Sequence, residues 1–148
     1  MNVLISACLL GQACRYDGKT KEYAAIHELQ KKQHICWIPI CPEQAGGLPT
    51  PRDPAERRRG DVITSKGADV TAQYQQGACQ TLRLAQMFQC AYAVLKEKSP
   101  SCGCGKIYDG TFTRTLTDGD GVTAEVLKKN GIVVLGESGP FDVLRKDG

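Results

Sequence analysis

Three cysteines in this sequence follow apolar runs that are typical of buried strands. Cys8 closes the first run (NVLISA), Cys41 directly follows a second (HICWIPI), and Cys102 comes shortly after a third (AYAVLK). In an open parallel sheet, ligands gather outside the carboxyl ends of the strands. We therefore expect these three thiols to meet at one edge of the sheet, although they are far apart in the chain.

Three thiolates from three loops are suited to a metal site that keeps one coordination position open. Structural zinc prefers four ligands, usually in C-x₂₋₄-C pairs, whereas the close pair here is Cys102-x-Cys104. An iron–sulfur cluster normally takes four cysteines, so three would leave one iron free to act as a Lewis acid. From the residues alone, an iron–sulfur site, a zinc site, a redox-active thiol pair and a purely structural role all stay open.

The other five of the eight cysteines fall into two groups. Cys36 lies within a predicted strand, and Cys79 and Cys90 lie on a predicted helix, so we expect these three to be small buried hydrophobic residues. Cys14 and Cys104 lie in loops that the pattern does not assign.

Composition limits the class of protein. The chain has 148 residues and a net charge of +3, which fit one domain over residues 1–148 without the strong basic character of a nucleic-acid-binding protein. The N-terminal apolar run has no basic flank and is far shorter than a membrane span. We therefore expect a cytoplasmic protein with reduced cysteines, and neither a membrane nor nucleic acid as a partner.

Helical and strand patterns alternate along most of the chain. Helices are predicted over 21–33, over 70–90 and in VTAEVLKKNG, with strands before and after them and a long loop over 42–60. TFTRTL indicates a small hairpin arm, and PFDVLRK a closing helical turn. We predict an α/β fold, specifically a three-layer Rossmann-like domain with a mainly parallel sheet flanked by helices.

Three blocks, SACLLGQACRYDG, CPEQAGGLPTPRDPAE and KSPSCGCGKIYDG, resemble the signature blocks of the bacterial thiouracil desulfurase (desulfidase) family, in the same order. The resemblance covers nearly the whole chain, which is similar to the short single-domain form. It implies a [4Fe-4S] cluster held by Cys8, Cys41 and Cys102, with an open iron that binds the sulfur of thiouracil or 4-thiouridine monophosphate. The implied reaction is a non-redox hydrolysis that replaces sulfur with oxygen.

The resemblance also implies partners, and two other functions stay open beside it. The substrate would be a small thiolated pyrimidine or nucleotide, and the iron–sulfur assembly machinery would supply the cluster. The rival interpretations are a closed-site zinc or structural metal protein, completed by Cys14 or Cys104, and a non-catalytic thiol-based sensor of nucleotides or redox state.

Two residues near the predicted ligands are candidates for catalysis. Glu43 is the only carboxylate in the turn after Cys41, and we expect it to act as base or proton shuttle, as the resemblance also implies. Ser101, next to Cys102, is expected to hydrogen-bond the pyrimidine.

Further residues on the same loops have expected supporting roles. The candidates for ribose or phosphate contacts are Arg15, Arg52, Lys98 and Ser99. The residues expected to surround the cluster ligands without binding iron are Cys104, Asp17 and Asp109.

Overall fold

A four-stranded parallel sheet forms the centre of the computed structural model, which describes residues 1–144. In chain order the strands are β1 (Asn2–Ser6), β2 (Cys36–Ile40), β3 (Ala55–Arg58), β4 (Asp61–Thr64), β5 (Tyr92–Leu95), β6 (Lys106–Tyr108), β7 (Leu116–Asp118) and β8 (Val133–Gly136). The central sheet has the order β2-β1-β5-β8, with every neighbouring pair parallel. The pairs β3–β4 and β6–β7 are separate antiparallel hairpins.

Within residues 1–144, four α-helices connect these strands. They are α1 (Ala24–Gln30), α2 (Pro42–Ala45), α3 (Thr71–Met87) and α4 (Val122–Lys129). Short 3₁₀ turns cover Ala7–Leu10 and Asp142–Leu144. The long helix α3 begins where the Asp69 carboxylate accepts the Thr71 N–H at 2.9 Å, which satisfies one of the free amides at a helix start.

Both faces of the sheet are covered, because side chains alternate along each strand. On β1, Leu4 packs on the face covered by α3 and α4, while Val3 and Ile5 pack on the face covered by α1 and the last 3₁₀ turn. All three side chains are fully buried. A helix layer on each face of a parallel sheet confirms the predicted three-layer α/β fold.

The sequence pattern was wrong in two places. Residues 42–60, predicted as loop, contain the short helix α2 and strand β3, because Pro42 starts a helical turn directly after Cys41 and β3 pairs with β4. Cys36 and Cys79 are exposed rather than buried, since Cys36 begins an edge strand and Cys79 faces outward on α3; Cys90 is buried as expected.

Elsewhere the predicted elements are present with shorter bounds. The segment TFTRTL, predicted as a hairpin arm, covers most of the loop between β6 and β7 and the first residue of β7, and the closing turn is a 3₁₀ turn over Asp142–Leu144. The end of the predicted closing segment, 145–146, lies outside the described residues. Within residues 1–144, no helix has both the length and the apolar character needed to cross a membrane.

Candidate active site

A cavity of about 540 Å³ opens at the carboxyl ends of β1, β2 and β5. The thiols of Cys8, Cys41 and Cys102 line this cavity, as the parallel topology predicts. Cys14, which the sequence pattern did not assign, lines it as well. The structure therefore brings four of the eight cysteines to one place; that three of them bind a cluster stays a prediction at this point.

Each of the three expected ligands lies on a short, well-defined turn. Cys8 is in the 3₁₀ turn after β1, which ends at Gly11 with a left-handed φ of 91° and a 3.2 Å hydrogen bond from the Gly11 N–H to the Cys8 carbonyl. Cys41 is the residue that precedes α2. Cys8 is thus two residues beyond the end of β1, and Cys41 is one residue beyond the end of β2.

The third turn, which carries Cys102, is held from two sides. The Ser99 hydroxyl oxygen accepts the N–H groups of Ser101 and Cys102, each at 3.1 Å. In the first turn of α4, the N–H groups of Thr123 and Ala124 donate to the Ser101 carbonyl at 2.8 and 3.1 Å. Free amides at a helix start need acceptors, so docking this turn on α4 satisfies both elements.

The Cys102 sulfur is buried among hydroxyl groups. Ser6 Oγ approaches Cys102 Sγ at 3.4 Å, and Ser101 Oγ does so at 3.5 Å. Burial raises the pKa of the Cys102 thiol to about 12, although the hydrogen bonds from Ser101 and Ser6 act in the opposite direction. A thiolate at this position would therefore need a positively charged partner.

The thiols of Cys41 and Cys14, which line the same cavity, also have raised pKa values. A hydrogen bond with Cys14 raises the pKa of Cys41, and burial raises it further. The pKa of Cys14 is lowered by its hydrogen bond with Cys41, but the hydrogen bond with Cys8 and burial outweigh this and raise it to about 11. Metal binding replaces the thiol protons with a cationic centre, so this donor set fits an iron–sulfur cluster.

Glu43 lies in the first turn of α2 and accepts three hydrogen bonds. Its Oε1 atom accepts from Tyr74 Oη at 2.6 Å and from Arg52 Nε at 3.3 Å. Its Oε2 atom accepts from Ser101 Oγ at 3.2 Å. These donors fix the carboxylate at the wall of the cavity, two residues beyond Cys41.

Two glycines bring α2 against α3. A Cβ atom on Gly46 would lie 1.9 Å from the Gln73 carbonyl oxygen, and one on Gly77 would lie 2.0 Å from the Pro42 carbonyl oxygen. No real Cβ atom tolerates such distances, so the two backbones are in direct contact. This contact brings the hydroxyl of Tyr74 on α3 within reach of α2.

Arg52 has a different environment from the one expected of a phosphate ligand. Its side chain is only 6% exposed, and it donates from Nη2 to the Cys14 carbonyl at 2.9 Å and from Nη1 to Thr50 Oγ1 at 3.0 Å. Together with its contact to Glu43, these bonds occupy most of the guanidinium. The structure thus connects Arg52 to the carboxylate and to the Cys14 turn.

The sequence pattern missed Tyr74 as a site residue. It placed Tyr74 correctly on the buried face of a helix, and the side chain is 2% exposed. Burial raises the pKa of Tyr74, and the nearby negative charge of Glu43 raises it further, so the hydroxyl stays a proton donor. No local motif distinguishes a buried tyrosine with such a partner from one without.

The other candidates divide between the cavity and its surroundings. The predicted site residues that line the cavity are Cys8, Cys41, Cys102, Glu43, Arg15, Arg52, Lys98 and Ser99. Those that do not are Ser101, Cys104, Asp17 and Asp109. Ser101 is 1% exposed and reaches the site through its hydrogen bond to Glu43.

Cys104, Asp17 and Asp109 form hydrogen bonds with residues that do not line the cavity. Cys104 Sγ lies 3.7 Å from the Val134 carbonyl and packs against the core. Asp17 accepts the N–H of Lys19, and Asp109 accepts the N–H of Thr111, both at 3.0 Å, as in Asx turns. In the part of the chain that the structure describes, no three His, Cys, Asp or Glu side chains are arranged to hold a single metal ion. The cysteines of the cavity are instead a donor set for an iron–sulfur cluster, which is larger than one ion.

Known proteins are similar to this chain over nearly its whole length. A solved structure titled "[4Fe-4S]-dependent thiouracil desulfidase TudS" is 44% identical, with a TM-score of 0.85, and the match covers 93% of this chain and 91% of that one. The uncharacterised protein YbbK of Bacillus subtilis (strain 168) is 40% identical, over 96% of this chain and 99% of its own length.

A family model gives the same relationship. The model described as 2-thiouracil desulfurase matches residues 3–138, a range that includes all of β1 except its first residue, all of β8 and every residue of the cavity. The chain therefore belongs to the 2-thiouracil desulfurase family.

Proposed function

We propose that this chain is an iron–sulfur-dependent desulfidase that replaces the sulfur of thiolated uracil compounds with oxygen by non-redox hydrolysis. The observation that carries the proposal is the meeting of Cys8, Cys41 and Cys102 in one cavity beside the fixed carboxylate of Glu43. Membership of the 2-thiouracil desulfurase family and the 44% identity with a [4Fe-4S]-dependent thiouracil desulfidase support it.

Cys8, Cys41 and Cys102 would hold a [4Fe-4S] cluster. The raised pKa values of Cys41 and Cys102 support a cationic centre at this position, since it would replace the protons that these buried thiols retain. When bound, the cluster supplies a Lewis-acidic iron for the sulfur of the thiocarbonyl group.

Glu43 would act as the base. Water adds to the thiocarbonyl carbon, a proton passes to the carboxylate, and the carbon–sulfur bond breaks, so that C=S and H₂O become C=O and H₂S without net electron transfer. Tyr74 and Arg52 donate to one carboxylate oxygen and Ser101 to the other, so the geometry of Glu43 is set before substrate binds.

Ser99 and Ser101 would act as a pair. Ser101 Oγ is 3.0 Å from Ser99 Oγ and 3.2 Å from the Glu43 carboxylate. Because Ser101 is buried behind the cavity wall and Ser99 lines it, we assign Ser101 to orienting Glu43 and Ser99 to contact with the substrate. This differs from the pyrimidine contact that the sequence suggested for Ser101.

We further propose that residues 1–148 act as one desulfidase domain in the cytoplasm, where the iron–sulfur assembly machinery would supply the cluster. All eight cysteines are free thiols, as a reducing compartment favours. Thiouracil and 4-thiouridine monophosphate are the proposed substrates.

Anaerobic reconstitution tests the proposal. Wild-type protein should bind about four irons and four sulfides, and should release sulfide from 2-thiouracil, 4-thiouracil or 4-thiouridine monophosphate. Cys8→Ala, Cys41→Ala and Cys102→Ala should each lose iron and activity. Cys79→Ala, an exposed cysteine on α3, is the matched control and should keep both.

The same measurement separates the proposed site from a closed one. Cys104→Ser should retain its iron, because the Cys104 sulfur lies against the Val134 carbonyl and does not line the cavity. Iron loss in Cys104→Ser, or full iron content in Cys41→Ala, would exclude the proposed ligand set. Zinc in place of iron would exclude the proposed cofactor.

A further inference from the structure

Ser6 is a buried hydroxyl residue at the end of the strand β1. It belongs to the lining of the cavity, yet it is only 2% exposed. Because β1 lies between β2 and β5, Ser6 is in the middle of the sheet edge at which the three cysteines meet. Burial of a hydroxyl group costs free energy unless the group is hydrogen-bonded, so the partners of Ser6 indicate its role.

The oxygen of Ser6 accepts a hydrogen bond from the backbone. Lys96 directly follows β5, and its N–H donates to Ser6 Oγ at 3.0 Å. A serine hydroxyl has one proton to donate and two lone pairs that accept. The contact with Lys96 therefore fixes the position of the oxygen and leaves the hydroxyl proton available for another partner.

That partner is a sulfur atom. Ser6 Oγ lies 3.4 Å from Cys102 Sγ, and within residues 1–144 the Ser6 hydroxyl has no other acceptor. Cys102 is buried, whereas Cys8 and Cys41 are partly exposed. The most deeply buried of the three expected ligands is thus the one that a hydroxyl group of the sheet edge approaches.

Ser101 also approaches this sulfur, but its proton has a better acceptor. Ser101 Oγ is 3.5 Å from Cys102 Sγ and 3.2 Å from Glu43 Oε2. An ionised carboxylate is the stronger acceptor of the two, and here it is also the nearer one. Ser101 therefore donates to Glu43, and Ser6 is left as the hydroxyl donor to Cys102.

We propose that Ser6 holds a bound cluster in one oxidation state through a hydrogen bond from its hydroxyl to the Cys102 thiolate. Such a bond withdraws negative charge from the sulfur, so that loss of an electron becomes less favourable; hydrogen bonds to the sulfurs are among the factors that set the reduction potentials of iron–sulfur clusters. Ser6 is then a positioning residue, which acts through Cys102. This role rests on the proposed function, because it needs Cys102 to bind iron.

The role is consistent with the proposed reaction. Replacement of sulfur by oxygen involves no net electron transfer, so the reaction uses a single oxidation state of the cluster. An iron without a protein thiolate is the one that oxidation would release first. A donor that disfavours oxidation would therefore preserve the open iron on which the reaction depends. The alternative is that Ser6 serves only as an acceptor for the Lys96 N–H.

Redox titration of anaerobically reconstituted protein separates these two roles. Ser6→Ala should shift the reduction midpoint of the cluster to a lower potential, with iron content unchanged because all three cysteines remain. Its cluster absorbance should also decay faster in air than that of the wild type. Ser6→Thr keeps a hydroxyl group and should restore both values. A role limited to the Lys96 N–H would lower the free energy of unfolding of Ser6→Ala and leave the potential unchanged.

Two variants serve as controls. Thr81→Val removes a hydroxyl that is buried on α3, away from the cavity, where it donates to the Gly77 carbonyl at 2.7 Å. Ser101→Ala removes the other hydroxyl near Cys102. Both should keep a potential near the wild-type value, although Ser101→Ala should turn over more slowly because Glu43 loses a donor. A shift in either control as large as that in Ser6→Ala would overturn the proposal.

Two other results would also overturn it: an unchanged potential in Ser6→Ala, or a lowered potential that Ser6→Thr does not restore. Should Ser6→Ala retain no cluster, Ser101→Ala decides instead. A clear shift to lower potential in Ser101→Ala would make Ser101 the donor and reject Ser6, whereas a wild-type potential would support Ser6.

Sulfide release from the thiolated compounds is measured on the same preparations. A lowered potential in Ser6→Ala, with no sulfide release by the wild type, would support the role of Ser6 and reject the desulfidase. Sulfide release with equal potentials in the wild type and Ser6→Ala would do the reverse. Wild-type protein that takes up no iron–sulfur cluster would overturn both.

Discussion

The Tyr74 hydroxyl donates a 2.6 Å hydrogen bond to Oε1 of Glu43, which joins helix α3 to the turn that follows Cys41. Tyr74 lies in the first turn of α3, and Glu43 lies in the first turn of α2. A change in either residue should therefore alter both the free energy of unfolding and the geometry of the site.

Tyr74→Phe tests this contact. Removal of the hydroxyl should lower the free energy of unfolding by about 1.5–3 kcal/mol, because the buried bond has a charged acceptor. Turnover should fall with iron content unchanged, since Glu43 loses a donor that orients it. Urea unfolding, iron analysis and rate are measured on one preparation.

The control for that variant is Tyr23→Phe. The Tyr23 hydroxyl is buried and has no hydrogen-bond partner within residues 1–144. Its removal should leave stability equal or higher, because an unsatisfied polar group is lost. If both variants lose stability equally, the contact with Glu43 has no special contribution.

Gly77→Ala should disturb the cavity, although Gly77 does not line it. Alanine favours a helix by about 1 kcal/mol over glycine, but its Cβ would lie 2.0 Å from the Pro42 carbonyl oxygen. We expect a net destabilisation of about 1–3 kcal/mol, as for overpacked cores, and reduced iron content because α2 and Cys41 must shift. Thermal unfolding and iron analysis check this, with the exposed Gln75→Ala on the same helix as control. A stabilised Gly77→Ala with full iron content would contradict it.

Glu43→Gln should separate catalysis from assembly. The amide oxygen can still accept from Tyr74 and Arg52, and the amide nitrogen can donate to Ser101 Oγ, so fold and cluster absorbance should persist. Turnover should fall about 10²–10⁴-fold, the usual worth of a positioned acid–base group. Turnover within a few-fold of wild type would remove Glu43 from the role of base. Loss of the cluster absorbance would instead show that Glu43 supports the turn that contains Cys41.

Glu125 should contribute a pH-dependent part of stability. The hydrogen bond from Arg57, together with the positive charges of Arg57 and Lys129, holds the Glu125 pKa below its ordinary value of 4.5, although partial burial acts in the opposite direction. A carboxyl with a lowered folded-state pKa stabilises the fold above the unfolded-state pKa, and this contribution is lost as the pH falls through the folded-state pKa.

The measurement is the urea midpoint of wild type and Glu125→Gln between pH 7 and pH 3. The wild type should be the more stable above pH ~5, and the difference should shrink as the pH falls below the ordinary carboxyl range. A difference that does not vary with pH would show that the two proteins differ by packing and not by ionisation.

The fold class and the convergence of three cysteines could be predicted from the order of the residues. Apolar runs alternate with amphipathic segments, and a parallel sheet brings the ends of its strands to one edge, so Cys8, Cys41 and Cys102 had to lie near each other. That inference needs only the order of the elements. Glu43 could be found in the same way, because it is two residues from Cys41.

Tertiary packing alone decided which side chains complete the site. The direction of the Tyr74 hydroxyl depends on the glycine contact between α2 and α3, and the burial of Arg52 depends on the turn that contains Cys14. Arg114 reaches the cavity because Glu56 accepts the N–H groups of Gly110 and Phe112 and so holds the loop between β6 and β7 against β3. These contacts join segments that are remote in the chain or have no local pattern, and the free energy that selects them comes from packing and hydrogen bonds formed only in the folded state.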